Sequence, residues 1–184
     1  MKHNLPFALT TFRLLLGPLA MACALAQMPR VAYLPILVLS TASDILDGVL
    51  ARRFGVSTSF LRRYDSVTDV VYHAFLLAIL WMLCRPVLVK HYRAVLVLLI
   101  SEAACIAISV ARFRRYPATH SFLAKFYGLC LLACLIALLV FDASGWALIA
   151  LAIVGTITNA EIIAIHMVAE TAPIDVPTIL TLLR

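Results

Sequence analysis

Six long apolar segments follow one another along the chain, and short polar or proline-containing breaks separate them. Each segment is close to the about 20 residues that an α-helix needs to cross a bilayer. The helices predicted from this pattern cover residues 6–27, 31–52, 60–84, 92–112, 121–141 and 146–168. We therefore predict an all-α integral membrane protein with six transmembrane helices in one bundle, forming a single domain over residues 1–184.

The composition supports a membrane location. Hydrophobic residues make up 64% of the 184 residues and charged residues only 13%, and a soluble domain of this length cannot bury so much apolar surface. Fifteen basic and nine acidic residues give a net charge of +6, which in a membrane protein first reflects orientation and anionic headgroups. Membrane lipids are therefore expected partners, and nucleic acid is not.

The distribution of the basic residues predicts the orientation. Eleven of the 15 Lys and Arg residues fall on one side of the six-helix topology, and only Arg30, Arg85, Lys90 and Arg93 fall on the other. Because cytoplasmic loops carry the excess of Lys and Arg, both termini and the connection after the second helix are predicted to be cytoplasmic. We expect the protein in a bacterial inner membrane.

Four of the nine acidic residues lie in the second and third predicted helices. Asp44 and Asp47 are three residues apart and Asp65 and Asp69 are four apart, so each pair shares a helix face. The short connection, with Gly55, makes the helices antiparallel neighbours. This predicted hairpin, at about residues 31–84, places Asp47 opposite Asp65 and Asp44 opposite Asp69. We call these four residues the aspartate cluster.

Carboxylates inside a membrane helix are costly and persist mainly where they have a function. Four negative charges at this spacing repel one another strongly, and divalent cations remove that repulsion. An all-oxygen ligand set suits Mg²⁺ or Mn²⁺, and two such ions suit phosphoryl transfer. The aspartate cluster is therefore predicted to bind Mg²⁺ or Mn²⁺, with two ions.

The same helix face carries small residues. Gly48 and Ala51 leave space for a ligand to lie against the second helix, and Arg52 at its cytoplasmic end is placed to contact a phosphate or a base. A purely structural cluster, neutralised by the basic residues at the hairpin turn, is the alternative interpretation. Those basic residues are Arg53, Arg62 and Arg63.

The run Asp44-x-x-Asp47-Gly48-x-x-Ala51-Arg52, followed after eight residues by a position that is usually Gly and then by Asp65-x-x-x-Asp69, resembles the signature of the CDP-alcohol phosphatidyltransferases. The six-helix plan, with the motif on the second and third helices, is also similar to that family. One position departs from the pattern, because Leu61 stands where the family has its second glycine.

This resemblance implies a transferase that moves a phosphatidyl group from CDP-diacylglycerol to an alcohol and releases CMP. It implies that the aspartate cluster holds two divalent ions against the pyrophosphate, and that Gly48, Ala51 and Arg52 bind the CDP moiety. Asp69 would take the proton of the acceptor hydroxyl. The resemblance also implies a homodimer.

The acceptor is indicated by the N-terminal segment. Residues 4–13 resemble the opening of phosphatidylglycerophosphate synthases, which implies glycerol 3-phosphate as the acceptor. Arg13, Arg112 and Lys125 are the candidate acceptor-binding residues. Alternatively, Arg13 extends its side chain to the membrane interface and Arg112 reflects ordinary cytoplasmic charge. The run around Lys125 lacks the Gly-Lys-x-Lys-Thr-like sequence of those synthases.

Two other classes of function are compatible with parts of the sequence. A cation or proton transporter would use the carboxylates for transport, but its usual discontinuous helices and paired repeats are not evident. A catalytically impaired relative would serve as a lipid-binding or partner subunit, with Leu61 as the indication. The remaining polar residues Glu102, Asn159 and Glu161 are predicted to form interhelical hydrogen bonds rather than to act in catalysis.

Overall fold

A computed structural model describes residues 5–55, 58–114, 119, 121–171, 173 and 176–182, and within these the side chains of Ser59, Arg62, Arg63 and Ser66 are left out. The described residues contain six α-helices, two short 3₁₀ turns and no strand. The helices are α1 Leu5–Leu25, α2 Tyr33–Arg53, α3 Ser59–Lys90, α4 Tyr92–Phe113, α5 Phe122–Leu139 and α6 Trp146–Val168. The 3₁₀ turns are Arg30–Ala32 and Ile179–Thr181.

Each of the six helices contains a stretch that is long and apolar enough to cross a membrane. This confirms the predicted all-α integral membrane protein with six spans. Most predicted helix ends lie within a few residues of the observed ones, and the bounds of α6 agree at both ends. Exposed apolar side chains such as Leu15, Leu99 and Ile153 are the surface that lipid would cover. The orientation of the termini stays a prediction.

The predicted end of the third helix coincides with a kink. The sequence Arg85-Pro86 indicated a boundary, and the helical backbone is interrupted at Cys84, where φ is −122° and ψ is 16°, before a further helical stretch runs to Lys90. Proline removes one hydrogen bond of the helix and clashes with the preceding turn, which kinks a helix when the rest of the structure supports its continuation. Arg30 lies beside this kink, because its Nη2 donates to the Leu83 carbonyl at 3.5 Å.

The described residues divide into two compact units. The first contains α1, α2, α3 up to Pro86, and Leu135–Asp142. Its core includes Ser40 of α2, whose hydroxyl lies 2.6 Å from the hydroxyl of Tyr72 in α3. This buried contact joins α2 to α3 beneath the aspartate cluster. The organisation of the whole chain as a single domain stays a prediction.

The second unit contains Val87–Cys134 and the chain from Ala143 onward, with α4, most of α5, and α6. Asn159 of α6 donates to Ser101 Oγ and to Glu102 Oε2 of α4, both at 3.1 Å. Glu161 accepts a 3.0 Å hydrogen bond from Thr178 in the C-terminal segment. The Asn159 bonds confirm the predicted interhelical role of Asn159 and Glu102, whereas Glu161 contacts the C-terminal segment.

Candidate active site

The turn between α2 and α3 shows why this segment folds as a hairpin. Gly55 has a φ of +66°, a left-handed conformation that glycine adopts without steric cost. Thr58 then caps the start of α3, because its Oγ1 accepts a 3.2 Å hydrogen bond from the backbone N–H of Leu61. These two local features end one helix and begin the next within a few residues.

The carboxylates of α2 and α3 converge. Asp44, Asp47 and Asp65 each offer a carboxylate oxygen, and these three oxygens lie within 4.8 Å of one another. Carboxylate oxygens at this spacing, and no softer ligand, form a donor set that suits a hard divalent cation. The residues present therefore fit a Mg²⁺ or Mn²⁺ ion.

The guanidinium of Arg13 contacts all four members of the aspartate cluster. Its Nη1 pairs with Asp44 and lies 3.1 Å from Asp69 Oδ1, on the first level of the hairpin. Its Nη2 pairs with Asp65 and lies 3.5 Å from Asp47 Oδ2, on the second level. Each of the two pairs predicted from the hairpin therefore shares one terminal nitrogen of Arg13.

The members of this ion cluster differ in exposure. The Arg13 side chain is only 3% exposed and that of Asp47 7%, whereas those of Asp44, Asp65 and Asp69 are 51%, 38% and 40% exposed. The Arg13 guanidinium therefore contacts the cluster on its buried side, and the carboxylates of Asp44, Asp65 and Asp69 remain accessible to solvent. A ligand has access to those three carboxylates without unfolding the hairpin.

Two threonines of α1 support the cluster. Thr10 is buried, and its hydroxyl donates a 2.9 Å hydrogen bond to Asp47 Oδ2. Thr11 shares a 3.0 Å hydrogen bond with the hydroxyl of Tyr64, the residue before Asp65. Both contacts join α1 to the motif helices. Thr10 belongs to the segment at residues 4–13 that resembles the opening of phosphatidylglycerophosphate synthases. Nothing in the sequence indicated that Asp47 is its partner.

An aromatic group lies beside Asp65. The rings of Phe7 and Tyr64 stack with centroids 4.7 Å apart, and Phe60 stacks on Tyr64 at 6.5 Å. Phe7 and Phe60 are both exposed. These residues did not belong to the predicted site.

The small residues predicted for the CDP moiety lie on α2 as expected from their spacing. A Cβ added at Gly48 would make an ordinary contact with the Arg52 side chain, whose Nη1 would lie 3.7 Å away, and would meet no other described residue within 4 Å. Ala51 is buried and Arg52 is exposed. The Arg52 guanidinium therefore lies along the Gly48 face.

A sequence model of the CDP-alcohol phosphatidyltransferase family matches residues 3–158. The chain belongs to this family. No curated protein and no solved structure matches it significantly. Membership implies transfer of a phosphatidyl group from a CDP-alcohol to an alcohol acceptor within the membrane, and the family generally depends on divalent metals.

The other two candidate acceptor-binding residues lie in the second unit. Arg112 Nη2 donates to the Ala169 carbonyl at 3.2 Å, and its guanidinium lies 5.6 Å from the centre of the Phe113 ring. Lys125 is exposed, with its Nζ 5.6 Å from the centre of the Phe122 ring. The roles of Arg112 and Lys125 in acceptor binding stay predictions.

The phosphatidyltransferase motif departs from its family pattern at Leu61. Leu61 is half-buried in the first turn of α3, and its backbone N–H is the group that Thr58 caps. The hairpin therefore forms with leucine at this position. Of the basic residues in the structural alternative, Arg53 is exposed, whereas the side chains of Arg62 and Arg63 lie outside the described residues.

Proposed function

We propose that the protein transfers the phosphatidyl group of CDP-diacylglycerol to a small alcohol and releases CMP. The observation that carries this proposal is that the four carboxylates of the aspartate cluster, from two helices, converge on the Arg13 guanidinium. Three of these carboxylates are partly exposed. A site of this charge favours a ligand that arrives with its own cations, as a pyrophosphate does.

The proposed metal ligands are the four members of the aspartate cluster. Asp44, Asp47 and Asp65 form the converging set, and Asp69 lies on the same guanidinium at 3.1 Å. Mg²⁺ or Mn²⁺, with two ions, would neutralise charge on the phosphates and on the departing CMP. Asp47 is held from behind by Thr10, which fixes the deepest carboxylate.

Asp69 is the proposed general base. Its carboxylate is outside the converging set of three oxygens and is 40% exposed, so an acceptor can approach it. The acceptor oxygen gives its proton to Asp69 and forms a bond to the β-phosphorus. The bond from that phosphorus to the bridging oxygen breaks, and CMP leaves with that oxygen. A positioned carboxylate typically contributes about 10²–10⁴-fold to such a step.

The two ends of the donor lipid have separate surfaces in this proposal. Gly48, Ala51 and Arg52 would take the CDP end, and Arg52 supplies an exposed cation there. Beside Asp44, the side chains of Ile45 and Val49 are apolar and exposed. The acyl chains would leave the site over this face into the bilayer.

The acceptor is proposed to be glycerol 3-phosphate, with Arg13, Arg112 and Lys125 as its cationic contacts. Lys125 is an exposed cation at the start of α5, as an anionic acceptor requires. We also propose that the protein lies in a bacterial inner membrane, that its active site faces the cytoplasm, and that it forms a homodimer. The charge distribution supports the orientation, and the family resemblance supports the homodimer.

The test is CMP release by the purified full chain in detergent micelles with CDP-diacylglycerol. Mn²⁺ or Mg²⁺ is added after EDTA treatment, and acceptors are offered singly, with glycerol 3-phosphate first. We expect release that requires both the metal and an acceptor, and that is lost in Asp65→Asn. Release retained in Asp65→Asn contradicts the proposed site.

An impaired relative is the second candidate, because Leu61 places a half-buried side chain where the family pattern has glycine. It predicts no CMP release with any acceptor from the wild type and a gain of activity in Leu61→Gly. If the protein is the proposed enzyme, the wild type itself releases CMP. A Leu61→Ala variant serves as the control for loss of side-chain bulk without glycine's backbone freedom.

A further inference from the structure

The buried cation of the aspartate cluster belongs to the protein itself. Arg13 comes from α1, outside the motif, and its two terminal nitrogens contact the four carboxylates in pairs. Its Nε is also buried and has no hydrogen-bond partner among the described residues. The two terminal nitrogens of the guanidinium are thus used on the carboxylates, whereas its Nε–H is left unsatisfied.

The same carboxylates serve two purposes. Asp44, Asp47 and Asp65 are the residues whose oxygens converge to 4.8 Å, and each of them is also paired with Arg13. A planar guanidinium uses oxygen lone pairs directionally. A divalent ion bound by those carboxylates would lie against the positive guanidinium of Arg13 and must therefore compete with it for their negative charge.

Charge balance favours the divalent ions over Arg13 as counterions of the four carboxylates. Four ionised carboxylates and one guanidinium leave the cluster with an excess of negative charge, whereas two divalent ions balance four carboxylates without Arg13. A buried guanidinium that loses its carboxylates is costly unless it finds another anion. A phosphate is the anion that the proposed substrates bring to this place, and Arg binds it well.

We propose that Arg13 is an exchangeable counterion, which holds the aspartate cluster together, yields its carboxylates to the divalent metal, and then pairs with a phosphate of the substrate. Arg13 thereby acts as a positioning residue that couples metal binding to substrate binding. This inference rests on the proposed metal site and adds to it a residue outside the motif.

The experiment measures binding rather than turnover. Metal-stripped full chain in detergent micelles is titrated with Mn²⁺ alone, and free Mn²⁺ is followed by electron paramagnetic resonance. CDP binding is then measured at saturating Mn²⁺ by calorimetry. The variants are Arg13→Gln, which removes the charge, and Arg13→Lys, which keeps it without the planar fork. Arg93→Gln is the matched control, because Arg93 is an exposed arginine in the second unit.

We expect opposite signs for the two ligands. Arg13→Gln should tighten Mn²⁺ binding about tenfold, the factor expected from removing one competing charge-assisted contact, and should weaken CDP binding by a similar factor. Arg13→Lys should tighten Mn²⁺ less, and Arg93→Gln should leave both unchanged. A purely structural role of Arg13 would weaken both ligands together.

Each outcome bears on the inference. Mn²⁺ affinity in Arg13→Gln that is equal to or weaker than that of the wild type overturns it, even if the wild type releases CMP. If Arg13→Gln does not fold, Arg13→Lys decides, and unchanged or weaker Mn²⁺ binding there overturns the inference. If wild type and variants all fail to bind Mn²⁺, the proposed metal site itself is wrong, and the inference fails with it.

Discussion

The hydroxyl of Thr10 donates a 2.9 Å hydrogen bond to Oδ2 of Asp47, the least exposed carboxylate of the aspartate cluster. The hydroxyl oxygen also lies 3.0 Å from the Pro6 carbonyl oxygen of α1, so the single hydroxyl proton has a second acceptor there. Asp47 thus has a fixed partner on its buried side. Its Oδ2 also lies 3.5 Å from Arg13 Nη2, so this carboxylate lies between the hydroxyl and the guanidinium.

Replacing Thr10 with Val, which has a similar shape and no hydroxyl, should weaken the site. Loss of a hydrogen bond to a carboxylate is worth roughly 1.5–3 kcal/mol, which corresponds to about ten- to 150-fold in Mn²⁺ affinity or in the rate of CMP release. Thr10→Ser keeps the hydroxyl and should stay close to the wild type. Equal effects of Val and Ser would show that packing, and not the hydrogen bond, matters at this position.

Substitutions at Asp65 and Asp69 should separate metal binding from proton transfer. Asp65 belongs to the converging oxygen set, so Asp65→Asn should lose both Mn²⁺ affinity and CMP release. Asp69→Asn should lower CMP release by at least about 100-fold, as expected for a general base, and should reduce Mn²⁺ affinity less than Asp65→Asn does. Paired Mn²⁺ titrations and rate measurements on both variants test this, and a reversed order of the two affinities contradicts it.

The hairpin and its two levels could be predicted because both depend on local rules. Helical periodicity places Asp44 with Asp47 and Asp65 with Asp69, and a short turn with Gly55 leaves little freedom in the register of α2 against α3. The pairing of Asp44 with Asp69, and of Asp47 with Asp65, on Arg13 follows from that register.

The partners of the cluster could not be predicted in the same way. Arg13 and Thr10 lie on α1, and their distance to the carboxylates depends on how α1 packs against α2 and α3. No spacing rule relates residues more than 30 positions apart. The kink at Cys84 is different, because Pro86 disrupts a helix by a local effect that the sequence shows, whereas the contact of Arg30 with the Leu83 carbonyl beside it is not local and could not be predicted.

Gly17 should be the residue that sets the approach of α1 to α3. A Cβ added at Gly17 would lie 2.9 Å from Cδ2 of Phe75, so Gly17→Ala must push the ring or the helix. Such overpacking costs about 1–3 kcal/mol. Because Gly17 is one turn from Arg13, the variant should lower both the melting temperature and the rate of CMP release.

Gly128 in α5 provides the matched control for Gly17. A Cβ there meets no atom within 4 Å among the described residues, so Gly128→Ala should be neutral or gain up to about 1 kcal/mol from helix propensity. Thermal unfolding of the two variants tests the difference. A melting temperature that rises equally in both would show that α1 has room to adjust at Gly17.

Asn159 should stabilise the second unit through its two hydrogen bonds to α4. Interhelical hydrogen bonds in membranes are worth about 0.6 kcal/mol on average and about 1.7 kcal/mol at most. Asn159→Leu should therefore lower the melting temperature by an amount that corresponds to this range, because Glu102 and Ser101 lose their shared donor. Thr156→Val is the control, since the hydrogen bond of Thr156 within the described residues goes to the Ala152 carbonyl of its own helix. If Asn159→Leu is as stable as Thr156→Val, then packing alone joins α4 to α6.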